Sequence, residues 1–212
     1  MKKKSLTIAG MALAMALAAS TAGYVCAEEA TEAIEEENVD QEAVDSLASV
    51  VDMLVNDRTN WNFTDEAVDE EDLMTILTAG VNASSAVNEQ PWVFSVITDQ
   101  ELMEELGVTS IAPVAIMISV DNSNEMKIVD AGLACQTMYI TAKALGYGAK
   151  VESTAARVVR NDETGEYMER LGIPETMSAR ALLLIGYADE EADAVSTASE
   201  RKDFDEVVVF VE

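Results

Sequence analysis

A junction between a helix-like segment and an apolar strand constrains this chain more than any other stretch. It reads Ala83-Ser84-Ser85-Ala86-Val87-Asn88-Glu89-Gln90-Pro91-Trp92-Val93-Phe94. Pro91 fixes its own φ and biases Gln90 toward extended geometry, so the loop is stiff before the strand begins. An Asn side chain on such a loop presents a donor beside an acceptor, the pair an amide-like ring edge requires. The same residues also describe a plain helix-to-strand turn around a buried Trp, with no chemistry attached.

The segments around this junction alternate between helical and strand periodicity. Val44, Leu47, Val51, Leu54 and Val55 form one apolar stripe at helical spacing. Asp69 precedes a second amphipathic helix through Leu73, Ile76, Leu77 and Val81, with acidic residues in its first turn. Trp92 to Thr98 reads as a strand, and Asp99 caps a short helix to Leu106. Pro113 to Val120 is an uninterrupted apolar run, as expected of a strand buried on both faces. Lys127 to Leu145 is the longest helical pattern, apolar on several sides and therefore expected at the centre. Glu163 to Leu171 is expected as a helix, and Ala181 to Tyr187 and Phe204 to Val211 as strands. The mixture predicts an α+β sandwich with one sheet between helices.

The first 27 residues are expected to be a leader rather than part of the fold. Lys2-Lys3-Lys4 is a basic n-region, Leu6 to Ala22 an apolar h-region, and Val25-Cys26-Ala27 a cleavage site. This predicts Sec-type export to an extracytoplasmic or envelope location; a retained membrane anchor is the alternative. Residues 28–43 are read as an acidic tether, and 44–212 as the domain. Cleavage leaves 185 residues, 28–212, and removes three lysines, so the formal net charge passes from −27 to −30. That charge argues against nucleic acid and anionic membrane surfaces as partners. No later segment has the length and apolarity of a membrane span.

The chain has no histidine, which excludes Ser-His-Asp and Cys-His nucleophile systems and His-based metal sites. No metal site is expected. Loss of Cys26 with the leader leaves Cys135 alone, read as a buried inert thiol rather than a reactive one.

Four separated stretches carry a family resemblance, in order. Asp57-Arg58-Thr59-Asn60-Trp61-Asn62-Phe63 resembles the exit of the first helix of the nitroreductase family. Ser85-Ala86-Val87-Asn88-Glu89-Gln90-Pro91-Trp92 is similar to that family's flavin-contacting loop. Asp130-Ala131-Gly132 running to Gly146-Tyr147-Gly148 is similar to its central helix. Leu184-Ile185-Gly186-Tyr187 and Arg201-Lys202-Asp203-Phe204-Asp205-Glu206-Val207-Val208 resemble its last strand and tail. The resemblance implies a nitroreductase-like sandwich with a central, mostly antiparallel sheet, and an obligate homodimer with FMN at the subunit interface. It also implies NAD(P)H as hydride donor and a nitroaromatic, quinone or similar acceptor. Carried over by motif, Arg58 is the charge kept in the first stretch, and Thr59 takes a phosphate- or ribityl-side contact. Asn88 bonds the pyrimidine edge of the ring, Gln90 shapes the loop, and Arg201 reaches the phosphate. No catalytic side chain is implied, because the flavin supplies the redox chemistry.

Two positions depart from the family pattern. Asp57 and Trp61 stand where the family places basic residues. Each charge-assisted bond to a phosphate is worth about 1.5–3 kcal/mol, so two lost contacts weaken binding by roughly two to four powers of ten. A non-catalytic exported module that binds flavin or another planar ligand is therefore the alternative function. Glu89 adds a carboxylate near the expected ring position.

Overall fold

The computed structural model describes residues 41–110, 112–121, 123–193 and 201–211, with side chains from residue 47 onward. The expected leader lies outside the described residues, as does the tether up to residue 40. In chain order the helices are α1 (Gln41–Asn56), α2 (Glu70–Val81), α3 (Gln100–Glu105), α4 (Glu125–Ala144), α5 (Thr154–Asn161), α6 (Glu166–Arg170), α7 (Glu190–Asp193) and α8 (Phe204–Val207). The strands are β1 (Trp92–Ile97), β2 (Val114–Asp121), β3 (Gly148–Glu152) and β4 (Met177–Gly186).

The strands form one sheet in the order β1-β2-β4-β3, with every neighbour antiparallel. The apolar run of β2 places it beside β1 and β4, with every residue from Val114 to Val120 buried. Its alternate side chains feed two cores. Ala115 and Met117 join Leu182 and Leu184 of β4 under Leu102, Met103 and Val159 of the α3–α5 side. Ile116, Ile118 and Val120 join Leu183 and Ile185 under Ile76 of α2 and Met138 of α4. Each of the larger side chains, Ala115 aside, stabilises the fold by about 1.5–3 kcal/mol relative to exposure. The α+β sandwich expected from the sequence is the architecture observed.

Local chemistry sets the helix starts. The Asp69 carboxylate accepts from the N–H groups of Glu71 and Asp72, and Asp99 does the same for α3. The Asn124 side chain accepts from Lys127 N and opens α4. These bonds satisfy donors that have no intrahelical partner.

Four segments differ from expectation. β3 and α5 were not legible as elements, and the helix expected over 163–171 is only α6, entered through Gly165 at φ 74°. The strand expected over Phe204–Val211 is instead one helical turn, α8, followed by exposed residues. A β-branched run becomes a strand only where a neighbour offers a ladder. The outer side of α4 is also more open than its apolarity suggests, with Ile128, Val129 and Leu133 exposed.

Candidate functional site

The Asn88 loop is the most strained backbone among the described residues. Val87, Asn88 and Gln90 all lie in the left-handed region, at φ 50°, 58° and 50°. Each costs on the order of 1–3 kcal/mol unless its surroundings impose it. Val87 is β-branched and 94% exposed, so packing does not compensate it. Gln90 was expected to be extended ahead of Pro91. It is turned over because Ser85 Oγ accepts its N–H at 3.0 Å. Asn88 N and Glu89 N donate to Ser85 O and Ala86 O, each at 3.1 Å. Among the described residues, the Asn88 side-chain amide has no partner, and Asn88 is exposed.

Helix α4 grips this loop at two points. Asp130, 2% exposed, accepts the Ala86 N–H through Oδ1 at 3.1 Å. Lys127 Nζ lies 2.6 Å from Glu89 Oε1 and 2.7 Å from Asp121 Oδ2. The hydrogen bond from Lys127, with a second from Ser123 N, holds the Asp121 carboxyl below its usual range. Glu89 therefore does not stand as an uncompensated charge near the loop.

A second cluster sits farther along α4. Tyr139 Oη donates to Asp57 Oδ2 at 2.5 Å. Lys143, one turn on, places Nζ 2.8 Å from Asp57 Oδ1, 2.8 Å from Asn60 Oδ1 and 3.3 Å from the Arg58 carbonyl. Burial and the Asp57 carboxylate raise the ionisation of Tyr139 above the ordinary tyrosine range, so it remains a donor at neutral pH. The Thr59 hydroxyl and the charge of Arg201 act on the same phenol in the opposite sense.

The structure thus gathers the expected residues into two groups. Asn88 and Gln90 share the loop. The Thr59 hydroxyl and the Arg201 charge both bear on the Tyr139 phenol, and Arg58 contributes its carbonyl to Lys143. Asp130 and Tyr139, which anchor the two groups, are nine residues apart on α4, about 14 Å at the rise of a helix. Trp61, 50% exposed, carries Lys150 Nζ 4.4 Å from its ring centroid. Sequence reasoning missed Lys127, Asp130, Tyr139 and Lys143. The signal available was a buried-type spacing on α4 occupied by charged residues, with Tyr139 and Lys143 four apart.

Among the described residues, no group of acidic or Cys side chains is arranged to hold a metal ion. No described helix is long and apolar enough to cross a membrane. Burial pushes the Cys135 thiol up to about 11, which leaves it protonated at neutral pH.

Comparison with known proteins identifies the family. The nitroreductase family model matches residues 58–111, a span that includes both the Thr59 segment and the Asn88 loop. A protein from Methanothermobacter thermautotrophicus, provisionally described as an NADH dehydrogenase/NAD(P)H nitroreductase, is 30% identical over 157 residues. The alignment covers 68% of this chain and 80% of that one. An FMN-dependent nitroreductase structure from Clostridium difficile is 28% identical, with a TM-score of 0.62 over 76% of this chain and 99% of that one. A nitroreductase with bound FMN from Desulfitobacterium hafniense shares the fold at 22% identity, with a TM-score of 0.67 over 77% of this chain and 98% of that one. The chain belongs to the nitroreductase family.

Proposed function

We propose that the protein is a flavin-dependent oxidoreductase that binds FMN. In this reading it passes electrons from a reduced nicotinamide to a nitroaromatic, quinone or similar acceptor. The observation that carries the proposal is the strained Val87–Gln90 loop, which holds in the open an Asn88 amide with no partner among the described residues. Strain of this kind persists where the surroundings over-determine it, and functional sites are where it clusters.

The residues fit the group. The Asn88 amide offers a donor and an acceptor to the pyrimidine edge, and Gln90 closes the loop behind it. Thr59, Tyr139 and Arg201 offer two hydroxyls and one cation to the ribityl and phosphate side. Arg58 adds a second exposed cation. When bound, such a flavin supplies two-electron transfer, and the protein's part is binding, orientation and electrostatics. Lys127 neutralises Glu89 and so removes a repulsion that a reduced, anionic ring would meet.

In the same proposal the protein acts as a homodimer. Leu47, Val51 and Val55 of α1, Val129 and Leu133 of α4, and Phe210 of the tail are exposed, which supports an apolar contact with a second copy. Export by the basic and apolar leader completes the reading.

Asp57 favours a second reading, a binding module without turnover. A carboxylate stands beside the groups offered to the phosphate, tied down by Tyr139 and Lys143. Titration with FMN, followed by flavin fluorescence quenching and then a nicotinamide oxidation assay, separates the two. Submicromolar stoichiometric binding with turnover that Asn88→Ala abolishes supports the oxidoreductase. Binding without turnover supports the module, and no flavin binding sinks the oxidoreductase and leaves the module only with another planar ligand.

A further inference from the structure

Residues 57–62, the stretch offered to the tail of a flavin, already spend their anion-binding donors on a carboxylate of the chain itself. Asp193, at the end of α7, accepts four bonds from this stretch. Trp61 N and Asn62 N donate to its Oδ1 at 3.1 and 3.0 Å, and Asn62 Nδ2 donates to the same oxygen at 3.0 Å. Asn60 Nδ2 donates to Oδ2 at 3.1 Å. Two successive backbone N–H groups aimed at one point make the kind of concavity that holds a phosphate. Here the anion is built in. Burial acts to raise the Asp193 carboxyl, but the bonds from Asn60, Asn62 and Trp61 N outweigh it and hold the group below its usual range.

The lysines at this stretch are spent in the same way. Lys143 places Nζ 2.8 Å from Asp57 Oδ1 and 2.8 Å from Asn60 Oδ1, and its side chain is 13% exposed. Lys150 lies 4.4 Å from the Trp61 ring centroid, 3.6 Å from Glu152 Oε2, and donates to Ser110 Oγ at 2.8 Å. Among the described residues, the cations that remain for a ligand here are Arg58 and Arg201, and both are exposed. An exposed ion pair is screened by water and changes binding by less than about fivefold. From farther out, the field of a chain with formal net charge −27 opposes a dianion.

Hydroxyl groups meet neither obstacle. A hydroxyl can donate to a carboxylate such as Asp57 or Asp193, whereas a phosphate dianion has only acceptors to offer. The Thr59 and Tyr139 hydroxyls suit the same kind of partner.

Resting on the flavin reading above, we propose that this pocket recognises the riboflavin part of its ligand and gains nothing from the phosphate. It therefore takes unphosphorylated flavin at least as tightly as FMN, and Asp57 and Asp193 set that preference.

Parallel fluorescence-quenching titrations of the purified protein with riboflavin and with FMN, at pH 8 where the phosphate is a dianion, test the proposal. Riboflavin should bind as tightly as FMN or tighter. Added chloride should leave riboflavin affinity unchanged and strengthen that of FMN, because it screens the repulsion. Asp57→Asn removes the charge that occupies Lys143. It should move the preference toward FMN by about tenfold or more, with riboflavin affinity nearly unchanged. The chloride series on the parent protein decides the matter where Asp57→Asn does not fold. FMN bound tenfold or more tighter than riboflavin, and weakening as chloride is added, overturns the proposal and leaves the flavin reading standing. A preference that Asp57→Asn does not move also overturns it. Absence of binding by either flavin sinks the flavin reading itself, and this proposal with it.

Discussion

Asp130 shows how much of this site rests on a single buried side chain. One carboxylate oxygen accepts the Ala86 N–H at the entrance to the strained loop, and the other has no partner. Removing the acceptor leaves that N–H unsatisfied at a cost of about 1–3 kcal/mol. Asp130→Ala should therefore weaken flavin binding by about 10- to 100-fold. Asp130→Asn keeps the carbonyl acceptor and should bind close to the parent protein; fluorescence quenching compares the two directly. Cys135 makes the opposite kind of residue-scale prediction. Its thiol, pushed up to about 11 by burial, should react with a disulfide reagent at pH 8 only as fast as the protein opens. Denaturant should speed that reaction sharply.

At the scale of elements, the sheet and its long helix carry the arrangement. A Cβ added at Gly186 would lie 2.5 Å from Cδ of Pro113, part of a ring that cannot rotate away. Gly186→Ala should therefore lower stability by about 1–3 kcal/mol through overpacking, read as a shift of the urea midpoint. Lys127→Met should free Glu89 from α4 and loosen the loop, with flavin affinity falling more than the melting temperature. The elements that were legible carried their own signals. Asp69 and Asp99 mark helix starts, and the run from Pro113 to Val120 admits few readings besides a central strand. β3 was hidden because Gly-Ala-Lys-Val-Glu has no run of large apolar residues; its identity comes from β4. The Phe204–Val211 stretch misled for the converse reason, having strand-forming residues and no ladder to join. For the candidate site, the grouping of Asn88 with Gln90 was readable because they lie two residues apart on one loop. Lys127, Asp130, Tyr139 and Lys143 were not, because their partners lie up to 86 residues away in sequence, as for Lys143 and Asp57.

At the scale of the whole molecule, charge governs how stability responds to solution conditions. A formal net charge of −27 opposes the compact state by self-repulsion, so added salt should raise Tm by screening. Acid brings a separate loss. Asp121 is held below its usual range by Lys127 and Ser123, and Asp162 by the Thr164 hydroxyl and the Tyr167 N–H. Their contribution is fully present above the unfolded value of about 3.9 and is lost as pH falls through the lower folded values. Thermal melts should therefore show stability falling below about pH 4, and replacing Asp162 with Asn should shallow that fall. One further consequence follows from the way β3 ends the sheet. Asn60 N donates to Ala149 O at 3.2 Å, and Asn60 Oδ1 accepts from Ala149 N at 3.3 Å. The stretch that presents Thr59 thus also seals an exposed ladder edge of the kind that recruits foreign strands. Under the proposed function, colloidal behaviour and flavin affinity both hang on one asparagine: a variant that frays at Asn60 should lose flavin affinity and become sticky in the same event.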